Sequence, residues 1–301
     1  MASKSISCCL DSYLPAFQLM LETERAPRTV EGYTQSLQNF LRYAKSNDLP
    51  AEPQLLTAEH IRQFLRDLAA MGRSANTLRQ YIASLRRFFK WLIIEHEIEE
   101  SPMEHIHMPR APERIVAPLE VDDLQRLKQA AQQRHGREAL RDLALLLILE
   151  DTGARASEIT GLTLDRIDWR LRTFRLIGKG NRERLVAASG TTMRALAAYL
   201  KARRSASETV FITRLGRPMN RNSLLQVLRR LALRAGVEGV HTHRFRHTFA
   251  NEWLGAGGRE GDLQTILGHS TPTMTRRYTD ARKSERALEA MRQHSLVERL
   301  K

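Results

Sequence analysis

A mainly helical chain of two domains, the second carrying one small antiparallel sheet, is predicted by three observations. Apolar residues recur at spacings of three and four through most of the 301 residues. Pro102, Pro109, Pro112 and Pro118 fall within 17 residues, so residues 101–118 read as a linker between a first domain, 1–100, and a second, 119–301. Strand-like alternation then flanks Gly178-Lys179-Gly180-Asn181, the pattern of a hairpin. The length suits two cores, because a single core stops growing near roughly 250–300 residues.

Four amphipathic helices account for the first domain, at approximately Leu10–Glu22, Thr29–Ala44, Thr57–Met71 and Asn76–His96. Thr57 and either Ser74 or Asn76 offer N-cap oxygens. The stripe Tyr81, Leu85, Phe88, Phe89 and Leu92 marks the buried face of the fourth helix. In the second domain, helices Glu120–Gln133 and Arg137–Asp151 precede short strands at Asp165–Asp168, Thr173–Ile177 and Glu183–Val186. Helices follow at Thr191–Arg204, Asn222–Ala235, Arg244–Gly255, Gly261–Leu267 and Ala281–His294. Ala287, Leu288, Met291, Leu296 and Val297 supply an apolar face for a C-terminal helix within Ala281–Lys301.

Charge narrows the function. Lys and Arg number 48 against 34 Asp and Glu, a net of +14. Residues 1–110 hold 13 of each sign, so the whole excess lies in residues 111–301, as 35 basic against 21 acidic. A charge confined this way is the footprint of a polyanion, most simply nucleic acid. Arginine outnumbers lysine 40 to 8, which suits forked phosphate contacts and equally fits a GC-rich coding bias. Within the neutral half, Arg62, Arg66, Arg73, Arg79, Arg86, Arg87 and Lys90 are opposed only by Asp67, either as a DNA-facing stretch or as a solvated helix face. The longest strongly apolar run, Leu143–Leu149, is far short of the ~20 residues that span a bilayer. Asp11 interrupts the N-terminal apolar stretch, and the adjacent Cys8 and Cys9 form no disulfide framework or metal clamp. A soluble, cytoplasmic chain with no membrane partner is expected.

Four short segments offer chemistry, and each alone has a structural alternative. Arg155, in Thr152-Gly153-Ala154-Arg155-Ala156-Ser157-Glu158, lies on the turn after a buried helix, placed either to clamp a phosphate or simply as an exposed arginine past a C-cap. Lys179 sits between two glycines that permit close approach to a ligand and also simply make turns. His243 and Arg246 share a helix face at i, i+3, and His247 either joins them or packs inward. A zinc pair from His243 and His247 fits poorly, since no glutamate accompanies them and Arg244 and Arg246 disfavour a dication. His269 follows Leu267-Gly268. Tyr278, in Arg276-Arg277-Tyr278-Thr279, is either a packed tyrosine or a nucleophile whose phenolate the neighbouring cations favour.

In order, Arg155, Lys179, His243-x-x-Arg246, His269 and Tyr278 resemble the tyrosine recombinases, the phage integrase family. The flanking words agree: Gly-Ala-Arg-x-Ser-Glu, Gly-Lys-Gly, His-Arg-Phe-Arg-His-Thr-Phe-Ala, Leu-Gly-His-Ser and Arg-Arg-Tyr-Thr. The likeness is strong from about 140 to 280 and looser before 110, where Thr29–Tyr33 and Ser74–Arg79 open helices like those of the family's core-binding, SAM-like domain. The compact length resembles Xer-type recombinases and short mobile-element integrases. Phe245 replaces a frequent leucine as a packing variant. Asp280 replaces a frequent histidine, which leaves a transposon or integron-like element open beside the housekeeping Xer branch.

The resemblance implies a mechanism and partners. Tyr278 attacks a phosphodiester of double-stranded DNA to give a 3′-phosphotyrosyl link. Arg155, Arg246 and His269 hold the non-bridging oxygens, Lys179 protonates the leaving 5′-oxygen, and His243 manages protons at the nucleophile or the transition state. Neither metal nor nucleotide cofactor is implied. Inverted half-sites are bound as pairs and joined in a tetrameric synapse of identical or paralogous subunits, with the C-terminal helix exchanged to a neighbour or folded back on its own subunit. Three rivals remain. A DNA-relaxing type IB topoisomerase shares the tyrosine chemistry, a non-catalytic DNA-binding accessory protein would have lost one of the six residues, and a metallonuclease needs a carboxylate cluster.

Overall fold

The computed structural model describes residues 9–109, 117–133, 135–269, 271, 275, 276 and 278. The chain divides into two compact units, Met1–Arg114 and Ile115–Lys301. The first holds helices α1 (Leu14–Glu24), α2 (Pro27–Ser46), α3 (Ala58–Ala70) and α4 (Ala75–Ile94). Helix α2 starts two residues before the periodicity predicts, because Pro27 takes the first helical position, where its missing N–H leaves nothing unsatisfied. Thr57 and Ser74 cap α3 and α4; the Ser74 hydroxyl accepts the Thr77 N–H at 3.2 Å. Leu85, Phe88, Phe89 and Leu92 of α4 are completely buried, and Phe88 meets Phe17 of α1 edge-on with ring centroids 5.2 Å apart.

Two results qualify the sequence reading of this unit. Met103 and Ile106, expected in the linker, are buried in the first unit's core, and Arg79 and Arg86 donate to the carbonyls of Pro109 and Ile106. Of the seven basic residues between Arg62 and Lys90, five have partners within the unit. Arg62 and Arg66 pair with Glu59, Arg87 pairs with Glu24, and Arg79 and Arg86 hold the returning segment. Much of that stretch is therefore engaged by its own unit.

The second unit is built around α6 (Arg137–Thr152), whose Ala144, Leu145, Leu146, Ile148 and Leu149 are completely buried. Helices α5 (Val121–Gln132), α8 (Gly190–Arg203) and α10 (Thr242–Gly255) pack on it, and α9 (Arg221–Ala235) lies against α5. The Asp151 carboxylate accepts from the Ser189 N–H at 2.7 Å and the Thr192 hydroxyl at 2.6 Å, tying the end of α6 to the start of α8. Short α7 (Ala156–Thr160) follows α6, and α11 (Glu260–Leu267) follows α10. The sheet runs β1 (Ile167–Asp168), β2 (Thr173–Ile177), β3 (Glu183–Ala187), all antiparallel, with Phe174, Leu176 and Val186 facing the core.

Strand β1 is half its expected length. Leu164–Arg166 forms a 3-10 turn, and the Asp168 carboxylate accepts the Leu171 N–H at 2.7 Å, turning the chain at once toward β2. Residues 205–220, for which no element is predicted, pair at single bridges, Thr163 with Thr209 and Ile212 with Pro218, and bury Val210, Phe211 and Ile212. Phe245 is 1% exposed within the second core, as expected of a packing variant. The expected C-terminal helix within Ala281–Lys301 and the linker residues 110–116 lie outside the described residues. No helix among the described residues is long and apolar enough to cross a membrane.

Candidate active site

Three chain reversals meet on one side of the second unit: the end of α6, the β2–β3 turn and the end of α11. Gly153 ends α6 in the left-handed conformation, φ +55°, and a Cβ there would come within 3.0–3.2 Å of Phe249 and Leu267. That tight approach places Arg155 beside α10 and α11. Gly268 ends α11 in the same way, φ +62°, with Arg184 packed against its Cα.

The last carbonyls of α11 are taken by guanidinium groups in succession. Arg184 donates to Ile266, Arg246 to Leu267 at 2.6 Å, and Arg155 to Gly268 at 3.1 Å. Carbonyls at a helix C-terminus lack intrahelical donors and favour cations, so three arginines are held together despite like charge. Arg246, 4% exposed, also donates to the Gly153 carbonyl at 3.1 Å. Glu158, 1% exposed, accepts from the Arg155 N–H at 2.7 Å, Arg155 Nη1 at 2.9 Å and Arg184 Nη2 at 2.7 Å. Among the described residues it is the one carboxylate bonded to these arginines, so three cations face a single anion.

The predicted residues arrive at this place from separate segments. Arg155, Arg246, His269 and Tyr278 are brought together. The His269 ring lies parallel to that of Tyr278, centroids 6.3 Å apart at 9°, and His247 meets Tyr278 edge-on at 5.1 Å and 83°. His269 Nδ1 is 2.8 Å from Thr275 Oγ1. Lys179 begins the 3-10 turn Lys179–Asn181 joining β2 to β3. Its neighbour Gly178 lies against the Arg155–Glu158 pair, for a Cβ there would sit 3.3 Å from Glu158 Oε1 and 3.8 Å from Arg155 Nη1. His243 stands exposed in the first turn of α10, which the His241 ring caps by accepting the Arg244 N–H at 3.1 Å. Among the described residues no three His, Cys, Asp or Glu side chains gather as a metal site.

Burial and the arginine cluster set the protonation of the site. Burial, then Arg246, Arg155 and Arg184, push His269 down to about 4, so the imidazole is neutral at pH 7. Burial and then His241, Arg246, Arg221 and Arg155 lower His243. Burial lowers Arg246 to about 10, helped by Arg155 and Arg184 and opposed by Glu158 and Tyr278, so it keeps its charge. For Glu158 burial acts upward, but the hydrogen bond and charge of Arg184 and the contacts of Arg155 outweigh it and hold the carboxyl below its usual range.

A model of the phage integrase family matches residues 118–285, and one of the phage integrase N-terminal SAM-like domain matches residues 14–96. The chain belongs to the phage integrase family. As a tyrosine recombinase of Xer-like type, it recombines DNA site-specifically by a tyrosine mechanism. It is 29% identical over 263 residues to the tyrosine recombinase XerD of Halalkalibacterium halodurans, covering 85% of this chain and 88% of that one. It is 30% identical over 268 residues to the tyrosine recombinase XerC of Alcanivorax borkumensis, covering 87% and 86%. Its fold is also that of the Tn1549 transposon integrase solved with circular intermediate DNA, at TM-score 0.75 and 20% identity over 93% of this chain and 99% of that one. Arg184, Glu158 and Thr275 also contribute to this candidate site, with no role assigned to them by the sequence alone. Glu158 stood inside the arginine motif, whereas Arg184 is one of 40 arginines and carries no local signature.

Proposed function

We propose that the chain cuts and rejoins double-stranded DNA at paired inverted half-sites, with Tyr278 as nucleophile. The observation that carries this reading is the meeting of Arg155, Arg246, His269 and Tyr278, from four separate segments, around a cluster of three guanidiniums and one carboxylate. Phosphoryl transfer asks mainly for positioning and for charge neutralisation on the non-bridging oxygens, and fixed guanidiniums supply both. The Tyr278 oxygen bonds to phosphorus as the bond to the 5′-oxygen breaks. Lys179 gives its proton to that leaving oxygen, and neutral His243 is suited to take the phenolic proton. His269, also neutral, contributes a hydrogen bond. Rejoining is the same exchange reversed, so the phosphotyrosyl link conserves the bond energy. Two subunits occupy each site and four form the synapse, as homo-oligomers or with a paralogous partner. The C-terminal helix docks on a neighbouring subunit.

Two expected results test the reading. Replacing Lys179 with Ala abolishes cleavage of ordinary DNA, and a substrate with a better 5′ leaving group, such as a bridging 5′-phosphorothioate, restores it in part; no rescue removes the general-acid role. DNA binding weakens steeply with salt, by roughly 0.9 in the logarithmic slope for each phosphate neutralised. A flat salt profile in a filter-binding titration would count against the basic surface as the DNA-binding face.

A further inference from the structure

We infer that Thr275 is a positioning residue that holds His269 in the tautomer with the proton on Nε2, so that the helical turn bearing the nucleophile also completes the phosphate site. The inference rests on the active-site reading above and adds a residue and a protonation state to it. Three observations carry it. Thr275 is completely buried, and its Oγ1 lies 2.8 Å from His269 Nδ1. Residues 275, 276 and 278 are helical, so Thr275 and Tyr278 stand at i, i+3 on one face of the same turn. The His269 ring lies parallel to the Tyr278 ring, which the His247 ring meets edge-on.

A neutral imidazole has one donor nitrogen and one acceptor, and the bond made by one decides the role of the other. With Thr275 donating its hydroxyl proton to Nδ1, the remaining proton sits on Nε2. His269 then meets a phosphate oxygen as a donor, the role an anionic transition state requires. The opposite tautomer would turn a lone pair toward the anion and repel it. Burial, and then the cationic neighbours Arg246, Arg155 and Arg184, keep the ring from charging, so the tautomer is what determines its function. Among the described residues, the other groups near the ring do not perform this task. The three guanidiniums are committed to the Ile266, Leu267 and Gly268 carbonyls and Glu158, and His247 turns its edge to Tyr278.

The variants Thr275→Val and Thr275→Ser test this. Valine keeps the buried volume and removes the hydroxyl; serine keeps the hydroxyl. Single-turnover formation of the covalent adduct is expected to fall about 10- to 100-fold in Thr275→Val, by analogy with the loss of other outer-shell partners of histidine. Its alkaline and acid limbs should shift as His269 loses its fixed tautomer, and Thr275→Ser should return to within a few-fold of the wild type. Nitrogen-15 spectra of the wild-type protein, with the His269 signal assigned through His269→Asn, should show the proton on Nε2. A wild-type rate and pH profile in Thr275→Val overturn the inference, and so does a proton on Nδ1 in the wild type. The spectra need no catalysis, so they judge the Thr275 role even if Tyr278 proves not to be the nucleophile. Absence of any Tyr278-dependent adduct in the wild type would instead overturn the active-site reading.

Discussion

Tyr278→Phe is expected to bind DNA as tightly as the wild type and to form no covalent adduct, a loss of at least about 10⁴-fold in cleavage. The substitution removes one oxygen and leaves the ring. His269 stacks on it and His247 meets it edge-on, contacts a phenyl group keeps. The guanidinium cluster is anchored through Gly153, Ile266, Leu267, Gly268 and Glu158, none of which depends on the phenol. DNA affinity and site geometry should therefore survive, and the lost step is attributable to the oxygen alone. The measurement is a trap: protein and fragmented genomic DNA are incubated with chelator, denatured, and the attached DNA sequenced. Adducts on a short inverted repeat in the wild type, absent from Tyr278→Phe, establish both nucleophile and target. Adducts scattered without sequence preference favour a DNA-relaxing activity instead, and adducts persisting in the variant show that another residue attacks.

What sequence could and could not disclose follows from the range of the interactions. The helices of both units were readable because their apolar spacing is local: Leu85, Phe88, Phe89 and Leu92 of α4 are buried together, and so are Leu145, Leu146, Ile148 and Leu149 of α6. The hairpin was readable from Gly178 to Asn181, since Gly180 and Asn181 adopt positive φ there. Arg155, Lys179, His243, Arg246, His269 and Tyr278 stand out in the sequence as an ordered set, although no spacing rule explains why Arg155 and Gly268, 113 residues apart, share a hydrogen bond. That contact depends on two left-handed turns, at Gly153 and Gly268, bringing the ends of α6 and α11 together. Arg184 carries no local signature for the same reason. Its role is set by Glu158, 26 positions earlier, and by the Ile266 carbonyl, 82 positions later. For the basic stretch of α3 and α4, counting charges along a helix does not reveal that Glu59, Glu24 and two returning carbonyls already engage five of them.

Glu158→Ala should be the most damaging substitution outside the reacting groups. The carboxylate is buried and gathers the Arg155 backbone N–H, the Arg155 guanidinium and the Arg184 guanidinium. Arg184 is itself only 8% exposed at its side chain, so deleting its anion leaves a buried cation whose remaining acceptor among the described residues is the Ile266 carbonyl. Removing one partner of a buried pair costs about 3–5 kcal/mol, much of it the penalty of the charge left behind. Arg155 would keep its bond to Gly268 but lose the two that fix its start, so adduct formation should fall together with stability. The pH dependence identifies the cause. The carboxyl is held below its ordinary range in the folded protein, so its contribution is complete above the unfolded value near ~4.3 and disappears as pH falls through the folded value. Urea midpoints of wild type and Glu158→Ala should therefore differ widely at pH 7 and converge as the pH is taken well below 4. Equal midpoints at pH 7 would mean that the arginine cluster is held by the α11 carbonyls without its carboxylate.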